Sequence, residues 1–175
     1  MSWRIGLPFM FVLAESFLQY HEEKAIKMAM TTIPSTDIKY FHRYVDDSHA
    51  RFFNLKQAEQ FQTILNRQHP FLKYTIEVEN KNKIINFLDI TVINNTHGKY
   101  EFKVYRKDAI TNIQIKPHSH HNPKILKEIF NGYIHRAYSI CSKNHLKDEK
   151  SFLIQVFTEN GFDEKMLKDI SYHVR

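Results

Sequence analysis

The chain is 175 residues long, 42% hydrophobic and 14% aromatic, a composition that excludes wholesale disorder and provides for one domain or one and a half with a real core. Its formal net charge of +6 lies entirely in the second half: residues 1–80 hold 9 Lys+Arg against 9 Asp+Glu, whereas residues 81–175 hold 16 against 10. The single cysteine, Cys141, excludes an internal disulfide and fits a buried thiol in a reducing compartment, and no stretch approaches the roughly 20 apolar residues of a membrane span.

Arg4 followed by Ile5 to Ala14 has the outline of a short signal peptide, but Val12, Leu13, Phe17 and Tyr20 carry a helical stripe past any cleavage point. The stripe predicts a buried helix from about Phe9 to Met30, closing before Pro34, in an intracellular chain (nuclear or cytoplasmic) that is not secreted. Next comes Arg43-Tyr44-Val45-Asp46-Asp47, between the apolar runs 38–41 and 50–53. This pattern predicts a hairpin with both acids at its tight turn. Such a pair either forms a solvated acidic turn with no chemistry or offers hard oxygen ligands to divalent metal ions, which two-metal sites hold about 3.5–4 Å apart.

Asn54, with Gln57 as reciprocal partner, predicts the cap of a helix whose stripe is Ala58, Phe61, Ile64 and Leu65 and which ends at Gln68-His69-Pro70. Lys73 to Glu79 alternates as a half-buried strand does, with Tyr74, Ile76 and Val78 on one face. Strands over 84–93 and 99–105 flank a loop at 94–98, with Asp89 expected to pair with a neighbouring Lys or Arg. Residues 108–121 lack a regular pattern. Their crowded His118, His120 and His121 fit a solvated loop near nucleic acid better than a zinc site, since no matching second ligand pair lies nearby. Asn122-Pro123 starts a helix in which Ile125, Ile129 and Tyr133 recur at four-residue steps, as do Leu126, Phe130, Ile134 and Tyr138, so that it is expected to bury a broad face. Asp148 is read as the cap of a second helix, closed by Asn160-Gly161 in a left-handed cap with Phe162 packed behind, and Asp163 opens a third. Between 103 and 147 nine basic residues face two acids, which suits a polyanion-binding surface; a merely solvated basic face is the bland equivalent.

Tyr44-Val45-Asp46-Asp47 resembles the catalytic hairpin of reverse transcriptases. Gly6-Leu7-Pro8 with residues 13–18 resembles the template-contacting loop and helix before it. Phe87-Leu88-Asp89-Ile90-Thr91-Val92, Val104-Tyr105-Arg106-Lys107, residues 135–142 and Glu159-Asn160-Gly161-Phe162 continue the series in the order and spacing of the Penelope-like retroelement reverse transcriptases, over nearly the whole chain. The resemblance implies an α+β fold: a partial polymerase palm at 1–107 (helix, hairpin, helix, strand, primer-grip-like hairpin), a connector at 108–121 and a three-helix thumb at 122–175. It implies catalytic and Mg²⁺-binding roles for Asp46, the main ligand, and Asp47. Gly6, Pro8 and Tyr44 would shape the template and nucleotide pocket, with Tyr44 supporting the primer's last sugar. Phe87, Leu88 and Asp89 would grip the primer, while Arg106, Lys107, Lys116, Lys124, Lys127 and Arg136 would bind nucleic acid.

The implied partners are an RNA template and an RNA–DNA hybrid, with deoxynucleotides as the only small-molecule substrates and no membrane. In that family a third essential carboxylate comes from a strand upstream of the Gly-Pro loop, where this sequence starts. The expectation is therefore a fragment or decayed copy, inactive alone, whose Mg²⁺ site needs the missing N-terminal polymerase half. Loss of that strand would leave Phe41, Tyr44 and Phe52 at an open sheet edge. The alternative expectation is a non-catalytic nucleic-acid-binding module using the basic helical half, since three short helices on tight turns also fit a helix-turn-helix unit.

Overall fold

The computed structural model describes residues 8–33, 38, 40–95 and 99–173. The chain is α+β, and its contacts divide it into two units, 1–78 and 79–175, each with its own apolar cluster. Among the described residues no helix is long and apolar enough to cross a membrane.

The first unit holds α1 (Pro8–Thr32), a hairpin of β1 (His42–Tyr44) and β2 (Asp47–His49), and α2 (Leu55–Asn66). Pro8 opens α1, where its missing N–H has no intrahelical partner to lose. The predicted stripe of Val12, Leu13, Phe17 and Tyr20 is exposed, not buried. The buried face lies farther along, at Glu22, Ala25, Ala29 and Ile33, where it meets Phe61 and Leu65 of α2. Two alanines at a helix crossing let the backbones approach closely, so side-chain size rather than total hydrophobicity decides which end of α1 packs. Phe41 and Phe52 are half-buried with ring centroids 5.7 and 5.4 Å from that of Phe61, whereas Tyr44 is exposed.

Asn54 caps α2, its Oδ1 accepting from Gln57 N–H at 3.0 Å, while Gln57 Oε1 accepts from Phe53 N–H at 3.3 Å. Residues 73–79 form no strand, against the alternation in their sequence, and Ile76 and Val78 are exposed. Alternation specifies a face but supplies no partner edge. Asn66 brackets Tyr74 instead, accepting from its N–H at 2.6 Å and donating to its carbonyl at 3.1 Å, and Gln62 donates to the same carbonyl at 2.9 Å.

The second unit is an antiparallel meander, β3 (Ile84–Phe87), β4 (Ile90–Asn94) and β5 (Tyr100–Val104), followed by α3 (Pro123–Ile140), α4 (Lys143–Glu159) and α5 (Glu164–His173). The single strand expected over 84–93 is two strands, since Phe87 pairs with Ile90 and the chain reverses at Leu88-Asp89. Leu88 sits at φ 54°, a left-handed conformation that a leucine does not advertise. α4 begins at Lys143, five residues before the expected cap at Asp148, because the Ser142 carbonyl already accepts from His145 and Leu146.

The sheet and the helices form one body. Ser142 N–H donates to Phe102 O at 3.0 Å and Ser142 Oγ accepts from Phe102 N–H at 2.9 Å, so the bend between α3 and α4 pairs with the outer edge of β5. Arg106 makes a forked ion pair with Glu149 of α4 and lies 4.3 Å over the Phe152 ring. These contacts lie within the second unit, which holds the sheet, the connector and the three helices together. Leu126, Phe130, Ile134 and Ala137 of α3, Leu153, Val156 and Phe157 of α4, Phe162, and Leu167 of α5 make the core. Of the two four-residue rows expected on α3, Leu126, Phe130 and Ile134 are buried, Ile129, Tyr133 and Tyr138 are partly buried against the core, and Ile125 is exposed.

Candidate functional site

Tyr44 pairs with Asp47, closing a two-residue turn of Val45 and Asp46, so one acid sits in the turn and the other opens β2. Both carboxylates are exposed. Val45 has φ 56°, a conformation costing a β-branched residue on the order of 1–3 kcal/mol.

A buried arginine anchors the turn. The Arg43 guanidinium donates to Glu15 Oε1 and Oε2 at 2.8 and 2.9 Å, to Glu22 Oε1 at 2.7 Å and to the Val45 carbonyl at 3.0 Å. Glu15 and Glu22 lie seven residues apart on α1, two turns along one face, which brings both within reach of one guanidinium. Hydrogen bonding to Glu15, with the charge of both glutamates, holds Arg43 well above its ordinary pKa, and the same bond holds Glu15 below the usual carboxylate range. Tyr74 adds its hydroxyl to Glu22 at 3.3 Å, and burial beside that glutamate pushes the phenol up to about 12. A carbonyl, two carboxylates and one cation thus fix where the acidic turn stands.

Because the strain is conformational, Val45→Gly is expected to stabilise the first unit by about 1 kcal/mol, glycine being free at positive φ. Chemical denaturation measures this, and a loss of stability would show that the valine side chain is needed for packing.

Among the described residues no cluster of three or more His, Cys, Asp or Glu forms, so Asp46 and Asp47 alone do not close the octahedral oxygen cage that Mg²⁺ demands. Gly6 lies outside the described residues, Pro8 is the first residue of α1, and Tyr44 is exposed beside the acids.

In the second unit, Phe87, Leu88 and Asp89 form the reversal between β3 and β4. Asp89 pairs with Arg136 of α3 at 2.5 Å, the basic partner expected for it, and its carbonyl accepts from Tyr105 N–H at 2.8 Å. That pairing occupies Arg136, and Glu149 occupies Arg106, while Lys116 donates to Asn160 Oδ1 at 3.2 Å. Of the six residues expected to bind nucleic acid, Lys107, Lys116, Lys124 and Lys127 are exposed and make no ion pair among the described residues, and of these Lys116 is the one held by a hydrogen bond, to Asn160. His118, His120 and His121 are exposed, with Ser119 Oγ 3.0 Å from His121 Nδ1.

The helices meet through a short turn at 160–163. Gly161 at φ 95° makes the left-handed step that ends α4, Phe162 N–H reaches back to Phe157 O at 3.1 Å, and Asp163 Oδ2 caps α5 by accepting from Met166 N–H at 2.8 Å. Asn160 is buried here. Its Oδ1 accepts from Gln114 N–H at 2.9 Å, and its Nδ2 donates to Asn112 O at 2.9 Å and Val156 O at 2.8 Å, so the connector is laced to the turn. Two features escape reading by residue type: the Arg43 anchor, signalled only by the seven-residue spacing of Glu15 and Glu22, and this use of Asn160.

A family model, the animal helix-turn-helix domain, matches residues 113–171, from the connector through nearly all of α5. No curated protein and no solved structure matches the chain.

Proposed function

We propose that the second unit is a nucleic-acid-binding module of helix-turn-helix type. The observation that carries this reading is the match of residues 113–171 to the animal helix-turn-helix family, falling on three helices and the turn at Gly161. The charge supports it, with 16 Lys+Arg against 10 Asp+Glu in residues 81–175. Lys107, Lys124 and Lys127 can meet phosphates, whereas Arg136 and Arg106 hold the sheet to the helices. Binding of the chain to single-stranded RNA and DNA, RNA–DNA hybrid and duplex DNA tests the reading. Affinity is expected to fall linearly with salt on logarithmic axes; failure to bind any of them at low salt overturns it.

A second reading is favoured by the hairpin: descent from a Penelope-like reverse transcriptase. An acid pair serving phosphoryl transfer needs exposed oxygens on a fixed mount, and the strained turn anchored by Arg43 offers both. On this reading Asp46 is the main Mg²⁺ ligand with Asp47 beside it, a third carboxylate comes from a polymerase segment outside these 175 residues, and RNA template and hybrid are the partners. Both readings place the chain with nucleic acid in the nucleus or cytoplasm. The chain alone is expected not to extend a primer on RNA. Template-directed synthesis by the pure chain with Mg²⁺ or Mn²⁺ contradicts that expectation, and activity gained on adding an upstream half and lost in Asp46→Asn supports the descent.

A further inference from the structure

We propose that the second unit holds nucleic-acid phosphates on α4, in the groove where Lys143, Lys147 and Lys150 converge, and not on α5; the inference rests on the nucleic-acid-binding reading above. In a helix-turn-helix the second helix of the motif usually enters the DNA groove. Here that helix is α5, and its charges do not suit a polyanion. Asp163, Glu164 and Asp169 oppose Lys165 and Lys168, and Lys168 is already paired with Glu164 at 2.5 Å. The groove beside α5, about 570 Å³, mixes Lys127 and Lys165 with Asp163 and Asp169.

A smaller groove of about 370 Å³ runs along α4 and is lined by three lysines and no acid; Tyr138, Leu146 and Ser151 are among its other walls. Lys143 and Lys147 stand at i and i+4, so they share a face and rise about 6 Å along the axis. That spacing is comparable to the step between neighbouring phosphates of one strand. Both are exposed, and among the described residues neither makes an ion pair.

Lys150 is fixed at the groove's inner end, donating to Ser171 O at 2.6 Å and to the Tyr138 hydroxyl at 3.3 Å, with Nζ 5.3 Å from that ring's centroid. An ammonium has three donors, so one remains after these two. The nearby acids of α4 lie outside the groove lining, with Glu149 bound to Arg106. Three like charges in one cleft repel one another, and a phosphodiester strand laid across them relieves that repulsion while releasing its own counterions.

The test uses the full chain with a polythymidine single strand and a duplex DNA, each titrated over a range of salt. Joint Lys143→Ala and Lys147→Ala substitution is expected to reduce the slope of log affinity against log salt by about 1.4 on the single strand and about 1.8 on the duplex, two contacts at roughly 0.7 or 0.9 each. Joint Lys143→Arg and Lys147→Arg substitution should keep the slope, and Lys165→Ala with Lys168→Ala should leave it unchanged. Binding whose slope survives the α4 alanines, or falls more with the α5 alanines, overturns the inference alone. No binding by the unsubstituted chain overturns it together with the reading beneath it.

Discussion

Arg43→Ala is expected to destabilise the first unit by about 3–5 kcal/mol, the usual cost of breaking a buried ion pair from one side. The side chains of Arg43 and Glu22 are 7% and 8% exposed, so the substitution leaves Glu22 buried without its cation. Among the described residues Tyr74 is the remaining hydrogen-bond donor to that carboxylate, and it is neutral and 3.3 Å away. Glu15 is far more accessible and can return to water, so Glu22 carries most of the penalty. Removing both partners together, Arg43→Met with Glu22→Leu, should recover most of the loss, because the penalty belongs to the abandoned charge rather than to a net gain from the pair. The single substitution also removes the donor to the Val45 carbonyl, freeing the strained turn to relax. Urea denaturation gives the energies, and amide exchange at residues 42–49 reports the turn. A loss below about 1 kcal/mol, or turn amides as protected as before, would show that something other than Arg43 holds the acid pair in place.

What could be read from the sequence was what local chemistry decides. Asn54, Asn122 and Asp163 cap the helices they were expected to cap, and Gly161 makes the expected left-handed step, because each satisfies orphan N–H or carbonyl groups within a few residues. The hairpin follows from its flanking apolar runs, but its turn holds Asp46 alone, with Val45 at positive φ beside it and Asp47 already in β2. What failed depends on distant partners or on conformations without a residue signature. Leu88 turns the chain at positive φ with no glycine or asparagine to announce it. The alternation at 73–79 is genuine, yet no strand among the described residues receives it. In α1 the more apolar half is exposed and the half with Ala25 and Ala29 is buried, because the helix packs where α2 can come close. A count of basic residues suggests a free cationic surface, but Arg106 and Arg136 meet carboxylates 43 and 47 positions away in sequence, separations no local pattern encodes. The Arg43 anchor spans 21 and 28 positions, so no local pattern announces it either.

Asn160→Ala is expected to cost the second unit about 2–4 kcal/mol, from partly buried groups of the connector and α4 left without partners at roughly 1–3 kcal/mol each. The side chain is 7% exposed and serves the Gln114 N–H, the Lys116 ammonium and the carbonyls of Asn112 and Val156. Lys116 can reach water and Val156 O still accepts from the Asn160 N–H, so the loss concentrates on Gln114 and Asn112. The backbone bonds of the turn do not involve the Asn160 side chain, and Gly161 keeps its φ of 95°. The substitution therefore separates docking of the connector from the helix-turn-helix itself.

Gly161→Ala makes the complementary perturbation. A Cβ there would meet Pro117 Cδ at 3.7 Å, an ordinary contact, so its cost is the conformational one of about 1 kcal/mol, borne by the turn. Amide exchange at residues 112–116 should accelerate strongly in Asn160→Ala and little in Gly161→Ala. The family match begins at residue 113, within this laced segment and ten residues before α3, which is where it should begin if the connector folds as part of the helical module. Connector amides as well protected in Asn160→Ala as in the unsubstituted chain would mean that the segment is held by its apolar contacts, and that Asn160 merely ends a helix.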